Sequence, residues 1–304
     1  MILTVTLNPC IDKSSTTEYF KPEAKLRCSE VLNEPGGGGI NVSKALKRLQ
    51  QESTALLPAG GNNGNMLCQL LNEEAIAFDV VETNVETREN WIVLETATNN
   101  QFRFTFPGRP VEEETIKTLV EKIGNYTPSF VVASGSLPPG LPDYFYGLLV
   151  KKAKAIGAKC IVDTSGPALQ ALQNKGAYLI KPNIDELCKM LNVASLKKNE
   201  VDDAAQQAIN DGFAELIAVS MGSDGAWLVT KDEKYFAAAP KVEKKSTVGA
   251  GDSMVAGITY MLQQNKSLKE VISFGVACGS AATMNTGTQL FKKEDAERLF
   301  VTMS

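Results

Sequence analysis

A regular alternation of predicted strands and helices along the chain constrains its fold most strongly. Each predicted strand is a short apolar run, followed by a segment with apolar residues at helical spacing. Such repetition indicates an α/β fold, a mostly parallel central sheet with helices on both faces. No linker or change of composition divides the pattern, so we expect residues 1–304 to form a single domain. The clearest segments are helix Glu112–Tyr126, strand Phe130–Ser134, helix Asp143–Gly157, strands Lys159–Asp163 and Tyr178–Lys181, helix Val201–Gly212 and strand Leu216–Ser220.

The composition excludes several classes of protein. The 304 residues are 43% hydrophobic and 22% charged, which is ordinary for a globular protein, and the net charge of −4 offers no basic surface to nucleic acid or an anionic membrane. No apolar run reaches the roughly 18 residues of a membrane span, and residues 1–7 look like a buried strand rather than a signal peptide. The six scattered cysteines predict reduced thiols in a cytoplasmic protein.

The sequence contains no histidine. Serine–histidine and cysteine–histidine catalysis, histidine-ligated metals and a histidine general base are therefore excluded. If the chain is an enzyme, its carboxylates, lysines, backbone amides or a bound ion must carry the reaction.

The sequence Ser-Thr-Val-Gly-Ala-Gly-Asp that ends at Asp252 combines a small-residue turn with the start of a predicted helix. Gly249, Ala250 and Gly251 carry almost no side chain, so their N–H groups would be the unpaired donors of a first helical turn, which attracts anions. Asp252 could take a proton from a hydroxyl that attacks such an anion. Phosphoryl transfer needs such a set of N–H donors around the anion, here called the cradle, together with a base. A loop with an N-capping aspartate also explains the tetrapeptide alone.

Two pairs of short alternating strands interrupt the pattern in the first half of the chain. We expect their four strands to form one small β-sheet lid over the site, made by the inserted segments 13–34 and 88–107. The predicted strands are Ser14–Tyr19, Cys28–Glu34, Trp91–Thr96 and Gln101–Phe106.

Four consecutive glycines, Gly36 to Gly39, precede the first clear helical pattern. Glycines let a ligand approach the backbone closely. A dinucleotide fingerprint is the rival interpretation, but its third glycine would fall at Asn41, so the Gly-x-Gly-x-x-Gly spacing is not met. A dinucleotide oxidoreductase stays an alternative at this point.

Polar residues follow predicted strands at their carboxyl ends, where ligands gather in open α/β sheets. Asn183 and Glu186 lie one helical turn apart and suit Mg²⁺ shared with nucleotide phosphates, although a capped helix start also explains them. The turn Ser220–Gly225 suits nucleotide phosphates or ribose. Small residues in Cys278–Gly287 allow close packing of a helix.

Two single residues each have a purely structural interpretation and a functional one. Asp12, just past the end of the first strand, is either a turn residue or an acceptor for sugar hydroxyls. Arg88 is either a solvated surface residue or a residue whose guanidinium group binds two phosphate oxygen atoms at once. Neither position alone decides between the two.

Together, the Gly-Ala-Gly-Asp sequence and the N-terminal glycine run resemble the ribokinase-like (phosphofructokinase B) sugar kinase family, over nearly the whole chain. Asn-Pro-x-x-Asp ending at Asp12 is similar to the mark of its phosphosugar kinases. The family's usual Gly-Gly-Lys-Gly-x-Asn is altered, since Gly38 replaces the lysine. With Lys-Leu-Arg-Cys upstream, this departure resembles the minor, ribokinase-type 6-phosphofructokinases more than 1-phosphofructokinases or tagatose-6-phosphate kinases.

The resemblance implies a ribokinase-like fold and a set of site residues. Asp252 would be the base, and the catalytic cradle would consist of Gly249, Ala250 and Gly251. The sugar phosphate would be bound by Asp12, Lys25, Arg27, Gly38, Gly39, Asn41, Arg88 and Ser136. ATP would be bound by Lys181, Asn183, Ser220, Gly222, Gly225 and Ser280. Mg²⁺ would be held by Asn183 and Glu186, and K⁺ would be surrounded by Ser246, Val248, Ala282, Asn285, Gly287 and Gln289.

The resemblance also implies the reaction, the ATP-dependent phosphorylation of fructose 6-phosphate to fructose 1,6-bisphosphate in glycolysis, with Mg²⁺ and K⁺. The alternatives are a 1-phosphofructokinase and a tagatose-6-phosphate kinase. From another class, the alternative is a catalytically inactive sensor of a nucleotide or metabolite. Exposed apolar strands would invite association, and lids of this family often clasp face to face. We therefore expect a homodimer through the lid, in which Lys25 or Arg27 reaches the neighbouring site, and no nucleic-acid or membrane partner.

Overall fold

The computed structural model describes residues 1–285, 287 and 289–303. None of the helices in this part of the chain has the length and apolar character needed to cross a membrane. The strands are β1 (Ile2–Val5), β2 (Cys10–Thr17), β3 (Leu32–Gly36), β4 (Ser53–Ala59), β5 (Phe78–Glu82), β6 (Arg88–Glu95), β7 (Asn100–Thr105), β8 (Phe130–Ser134), β9 (Lys159–Asp163), β10 (Ala177–Ile180), β11 (Ala214–Ser220), β12 (Ala226–Val229) and β13 (Lys234–Ala237). The helices are α1 (Gly38–Arg48), α2 (Gly61–Glu73), α3 (Glu113–Lys122), α4 (Phe145–Ala155), α5 (Gly166–Gln170), α6 (Ile184–Met190), α7 (Val201–Asn210), α8 (Ala250–Gln263), α9 (Leu268–Thr283) and α10 (Lys293–Met303).

The large sheet has the strand order β13-β12-β11-β10-β9-β8-β1-β4-β5. Its strands pair in parallel except at β11–β12 and β12–β13, which are antiparallel. This confirms the prediction of a mostly parallel α/β sheet. Parallel pairing also brings the carboxyl ends of β1, β8, β9, β10 and β11 to one edge, where a ligand site is expected.

Helices cover both faces of the large sheet. Leu119 of α3 and Leu149 of α4 belong to the core on one face, whereas Leu46 of α1 and Val255 of α8 belong to the core on the other. Strands β1 and β8 are buried along their whole length, because a parallel sheet between two helical layers has no solvent-facing side. All six cysteines are free thiols, as expected.

A separate small sheet has the order β3-β2-β6-β7, so the prediction that two distant segments form one small sheet is confirmed. The predicted bounds of its first two strands are wrong, since Ser14–Tyr19 and Cys28–Glu34 differ from β2 and β3 by several residues. The reason is that β2 pairs in parallel with β6, from Cys10 opposite Arg88 onward. A search for a local hairpin does not reveal a partner that lies so far along the chain.

The same pairing corrects the expected position of Asp12. This residue lies inside β2, opposite Asn90 of β6, rather than in a turn past the end of the first strand. Directly opposite residues of paired strands point to the same face of a sheet. The two side chains therefore lie next to each other.

Two glycines let α8 and α9 pack closely. A Cβ atom on Gly257 would lie 2.8 Å from Sγ of Cys278, and one on Gly275 would lie 2.7 Å from Cγ1 of Ile258. Neither position has room for a larger residue unless a helix moves. This crossing fixes the direction of α8, and with it the position of the Gly-Ala-Gly-Asp sequence.

Gly275→Ala should lower the free energy of unfolding by about 1–3 kcal/mol, because overpacking at this crossing pushes the two helices apart. Gly124→Ala is the matched control, since its Cβ would approach only the flexible end of the Lys152 side chain, at 2.9 Å from Nζ. Urea unfolding of both variants measures the difference. Equal stabilities of Gly275→Ala and the parent protein would show that the crossing has spare room.

Candidate active site

A polar cleft of about 350 Å³ opens at the edge of the large sheet where β8, β9 and β10 end. The strand ends and the connections after them supply most of its lining, as parallel α/β topology predicts. The cleft is lined by Gly38, Ser134, Gly135, Ser136, Asp163, Thr164, Ser165, Lys181, Asn183, Glu186 and Asp252. Several predicted site residues that lie far apart in the sequence therefore meet here.

Helix α8 begins at this cleft, where the N–H of Ala250 donates to the carbonyl oxygen of Thr247 at 3.4 Å. Within the part of the chain that the structure describes, the N–H groups of Gly249 and Gly251 have no backbone acceptor. Gly249 precedes the helix with a φ of 72°, a left-handed conformation that favours glycine, and in the described residues no side chain caps the helix. A Cβ atom on Gly251 would lie 3.5 Å from Nζ of Lys181. The N-terminal donors and an ammonium group thus lie side by side, which favours binding of an anion.

Asp252 lies in the first turn of α8, where two neighbours hold its carboxylate. Nδ2 of Asn41 donates to Oδ2 at 2.9 Å, and Oγ of Ser134 donates to Oδ1 at 3.3 Å. Burial and the charge of Asp163 together raise the pKa of Asp252 to about 7, although the hydrogen bond from Asn41 and the charge of Lys181 oppose the increase. A carboxyl group that ionises near neutral pH beside an anion site is suited to take up a proton from a hydroxyl.

Sequence reasoning missed Asp163, which forms an ion pair with Lys181. Nζ of Lys181 lies 3.2 Å from Oδ1 of Asp163, and Lys181 is buried. Burial alone would lower the pKa of Lys181, but the charge and hydrogen bond of Asp163 raise it above its ordinary value. The missed signal was available, because Asp163 ends a predicted strand at the edge where ligands gather.

Asn183 and Glu186 form a capping box at the start of α6. Oδ1 of Asn183 accepts from the Glu186 N–H at 2.8 Å, and Oε2 of Glu186 accepts from the Asn183 N–H at 2.9 Å. Burial raises the pKa of Glu186, although the hydrogen bond from the Asn183 N–H and the positive charge of Lys181 oppose the increase. The described residues contain no group of three or more acidic, cysteine or histidine residues that could hold a metal ion. A Mg²⁺ ion here would therefore take most of its ligands from phosphates and water.

The predicted nucleotide turn lies beside this capping box. The N–H of Ser220 donates to the carbonyl oxygen of Pro182 at 2.9 Å, which joins the ends of β10 and β11. Gly222 and Gly225 have φ values of 60° and 113°, a conformation that favours glycine, and a Cβ atom on Gly225 would lie 2.0 Å from the carbonyl oxygen of Ala237. Ser280 lies near the end of α9.

The four-glycine turn fits tightly between two parts of the site. A Cβ atom on Gly36 would lie 2.3 Å from Oδ2 of Asp12, and one on Gly38 would lie 2.3 Å from Oγ of Ser134. Gly39 packs equally closely on the backbone of β1. The Gly38 contact explains why the lysine of the usual motif is missing, since this arrangement leaves no room for any side chain there.

Arg88 uses all three of its guanidinium nitrogen atoms within the protein. Nε and Nη2 donate to the carbonyl oxygen of Asn8 at 3.2 and 3.1 Å, and Nη1 donates to the carbonyl oxygen of Phe106 at 2.9 Å and to Oδ1 of Asn90 at 3.1 Å. Nδ2 of Asn8 in turn donates to Oγ of Ser136 in the cleft, at 3.2 Å. Arg88 is therefore not a solvated surface residue.

Arg103 of β7 is a second residue that sequence reasoning missed. Its Nη2 donates to Oγ1 of Thr247 at 3.2 Å, which connects the small sheet to the segment before α8. Arg103 lies opposite Ile92, two residues from Asn90, so it is on the same face of the small sheet as Asn90. Only the observed register of β6 and β7 reveals this. Lys25 and Arg27, by contrast, lie exposed in the connection between β2 and β3, and neither lines the cleft.

The residues that the resemblance assigns to K⁺ lie before α8 and after α9. Oγ of Ser246 donates to the carbonyl oxygen of Gly287 at 3.0 Å and accepts from the Val248 N–H at 3.2 Å, so these three lie together. Gln289 is exposed. The remaining members, at the end of α9, are Ala282 and Asn285.

The raised pKa of Asp252 predicts that this carboxylate destabilises the folded protein when it ionises. Its pKa of about 7 lies above the ordinary value of 3.8, so the folded state binds the proton more tightly, and stability falls as the pH rises between these values. Asp252→Asn keeps an acceptor for Asn41 and should therefore raise Tm more at about pH 8 than at about pH 5.

Differential scanning calorimetry at both pH values measures this effect. Asp232→Asn, in an exposed turn, is the control for the loss of one negative charge. A Tm change in Asp252→Asn that is the same at both pH values would contradict the raised pKa.

Comparison with known proteins agrees with this geometry. The model of the pfkB family carbohydrate kinases matches residues 5–295. The chain is 41% identical over 305 residues to the ATP-dependent 6-phosphofructokinase isozyme 2 of Escherichia coli (strain K12), covering 100% of this chain and 99% of that protein. It is also 34% identical to the 1-phosphofructokinase of Bacillus subtilis (strain 168), covering 97% of each.

Solved structures show the same relationship. The structure of phosphofructokinase-2 from Escherichia coli in complex with potassium superposes with a TM-score of 0.96 at 40% identity, over 99% of this chain and 98% of that one. A structure described as the tetrameric inhibited form of that enzyme has a TM-score of 0.93 at 39% identity, with the same coverage. The match in sequence and structure extends over the whole length, so the chain belongs to the pfkB family of carbohydrate kinases.

Proposed function

We propose that this chain transfers the γ-phosphoryl group of ATP to the 1-hydroxyl of fructose 6-phosphate and forms fructose 1,6-bisphosphate. The observation that carries this is the Asp252 carboxyl group, with a pKa of about 7, beside the open N–H groups of α8. Identity of 41% to a 6-phosphofructokinase over the full chain supports the choice of substrate. The relative named 1-phosphofructokinase, at 34%, makes fructose 1-phosphate the second candidate.

In this reaction Asp252 would take up the proton of the attacking hydroxyl. As that oxygen bonds to phosphorus, the bond between phosphorus and the leaving ADP oxygen breaks. Asn41 and Ser134 orient the carboxylate through their hydrogen bonds. The N–H groups of residues 249–251 and the ammonium group of Lys181 would stabilise the negative charge of the transferred group.

Glu186 and Asp163 fit the Mg²⁺ ion that accompanies ATP, because both carboxyl groups line the cleft and carboxylate oxygens are preferred protein ligands of this ion. When bound, Mg²⁺ would neutralise phosphate charge. Asn183 would act through its capping box, which holds Glu186 in place. For K⁺, Oγ of Ser246 and the carbonyl oxygen of Gly287, 3.0 Å apart, supply two oxygen atoms of the kind that a hard cation prefers, and the N–H of Val248 holds the Ser246 hydroxyl group.

The sugar phosphate would bind where the small sheet meets the cleft. Asp12 would accept hydrogen bonds from sugar hydroxyls, and Arg88 and Arg103 would supply guanidinium groups to the existing phosphate. The glycines at positions 38 and 39 would let the sugar approach the backbone. This division places the phosphate end on the small sheet and the reacting hydroxyl beside Asp252.

We also propose that segments 13–34 and 88–107 form a lid that pairs with a second copy of the chain. Tyr19 and Phe104, one in each of these segments, are 46% and 44% exposed. Large exposed apolar side chains on a sheet with open edges favour association. Lys25 and Arg27, exposed on the same lid, would then reach the cleft of the partner.

A coupled assay of ADP formation with fructose 6-phosphate, fructose 1-phosphate, tagatose 6-phosphate and fructose tests the reaction. Fructose 6-phosphate should give the highest kcat/KM, and kcat should rise with pH through about 7 as Asp252 ionises. Asp252→Asn should lower kcat on the order of 100-fold or more and leave ATP binding intact, because an amide cannot accept the proton. Parent-like turnover of this variant would remove Asp252 from the mechanism, and a preference for fructose 1-phosphate would assign the second candidate.

The double variant Tyr19→Glu with Phe104→Glu should be a monomer with most of its activity lost, since two charges would be buried in the lid contact. Sedimentation velocity with activity at the same protein concentration measures both properties. Tyr144→Glu with Val193→Glu, at 46% and 42% exposed positions outside the lid, is the matched control. A fully active monomeric parent protein would refute the lid dimer.

A further inference from the structure

The side chain of Asn90 makes four hydrogen bonds inside the small sheet. Nδ2 donates to Oδ1 of Asp12 at 2.9 Å and to Sγ of Cys10 at 3.1 Å. Oδ1 accepts from Nη1 of Arg88 at 3.1 Å and from the N–H of Phe106 at 3.3 Å. Both donors and both acceptor positions of the amide are therefore used.

We propose that Asn90 is a positioning residue that sets the separation between the carboxylate of Asp12 and the guanidinium group of Arg88. This inference rests on the proposed function, in which Asp12 binds sugar hydroxyls and Arg88 binds the sugar's phosphate. One rigid amide joins the two groups directly, so neither can shift without the other. Asn90 thereby matches the site to a sugar that carries its phosphate at a fixed distance from the hydroxyls.

The chemistry of the two neighbours requires an amide here. Asp12 needs a donor and Arg88 needs an acceptor, and a single asparagine side chain supplies both from one position. An aspartate would keep the bond to Arg88 but would place a second carboxylate against Asp12, which repels it. An alanine would leave the guanidinium group with its Asn8 and Phe106 contacts and would release the side chain of Asp12 from its contact with β6.

Gly36 adds to this restriction of Asp12 from the opposite side. A Cβ at that position would lie 2.3 Å from Oδ2 of Asp12, so the carboxylate is confined between the glycine turn and the Asn90 amide. The Sγ–H of Cys10 donates to the same Oδ1 of Asp12 at 3.3 Å. Without the Asn90 contact, the Cys10 thiol, a weak donor, would be the one side chain among the described residues that still donates a hydrogen bond to Asp12.

The test compares KM values for the two substrates. Asn90→Ala should raise KM for fructose 6-phosphate on the order of 10- to 100-fold, because a small displacement of positioning groups has effects of this size. KM for ATP should change less than about twofold, since the nucleotide side of the cleft is not touched. The preference for fructose 6-phosphate over fructose, measured as a ratio of kcat/KM, should fall. Asn100→Ala, an exposed position at the far end of the same pair of strands, is the control.

A double-mutant cycle separates positioning from general damage. If Asn90 acts through Arg88, Asn90→Ala should raise KM for fructose 6-phosphate by a clearly smaller factor in the Arg88→Ala variant than in the parent protein. Asn90→Ser, which keeps one hydroxyl, replaces Asn90→Ala if that variant does not fold. Equal changes in both KM values, or additive effects in the cycle, would overturn the positioning role. A parent protein without activity on any sugar phosphate would instead overturn the proposed function.

Discussion

Two carboxylates and one ammonium group lie close together, partly shielded from water, at the start of α8. The rest of the site depends on how their charges balance. Asp163 pairs with Lys181 and also repels the charge of Asp252. Lys181 compensates only in part, so Asp252 keeps a proton up to nearly neutral pH. An acid that ionises in this range is a strong enough base for a hydroxyl and a weak enough one to lose its proton again. The balance holds only because three separate elements meet at one place.

The parallel sheet brings those elements together, and glycines bring the second sheet to them. Asp163 and Lys181 follow neighbouring strands of the large sheet, whereas Asp12 and Asn90 belong to the small one. The turn around Gly38 lies between the two, with no room for a side chain on either side. The glycine turn therefore lies close to one residue of each half of the site, Asp12 on the small sheet and Ser134 on the large one.

The large sheet could be predicted because its signals are local. Strands Phe130–Ser134 and Lys159–Asp163 have the bounds expected from sequence, since apolar runs between helical patterns identify buried strands well. The cleft side of the site could also be predicted, because Gly-Ala-Gly-Asp begins a helix with a clear apolar pattern and Lys181 directly follows a strand. Asn90 and Arg103 could not, since their importance depends on the register of β6 with β2 and β7. A residue's partner across a sheet is not a property of its own neighbourhood in the sequence.

The parallel pairing of β2 with β6 has a consequence for the order of folding. All of α1, β4, α2 and β5 lie between these two strands, so their contact closes a long loop and bears its entropy. The contact of Asp12 with Asn90 spans 78 residues of sequence. The contacts of Asp252 with Asn41 and Ser134 span 211 and 118 residues and so close longer loops still. In a newly made chain, the residues of the phosphosugar side are therefore all present before Asp252 is added, and their contact closes the shorter loop.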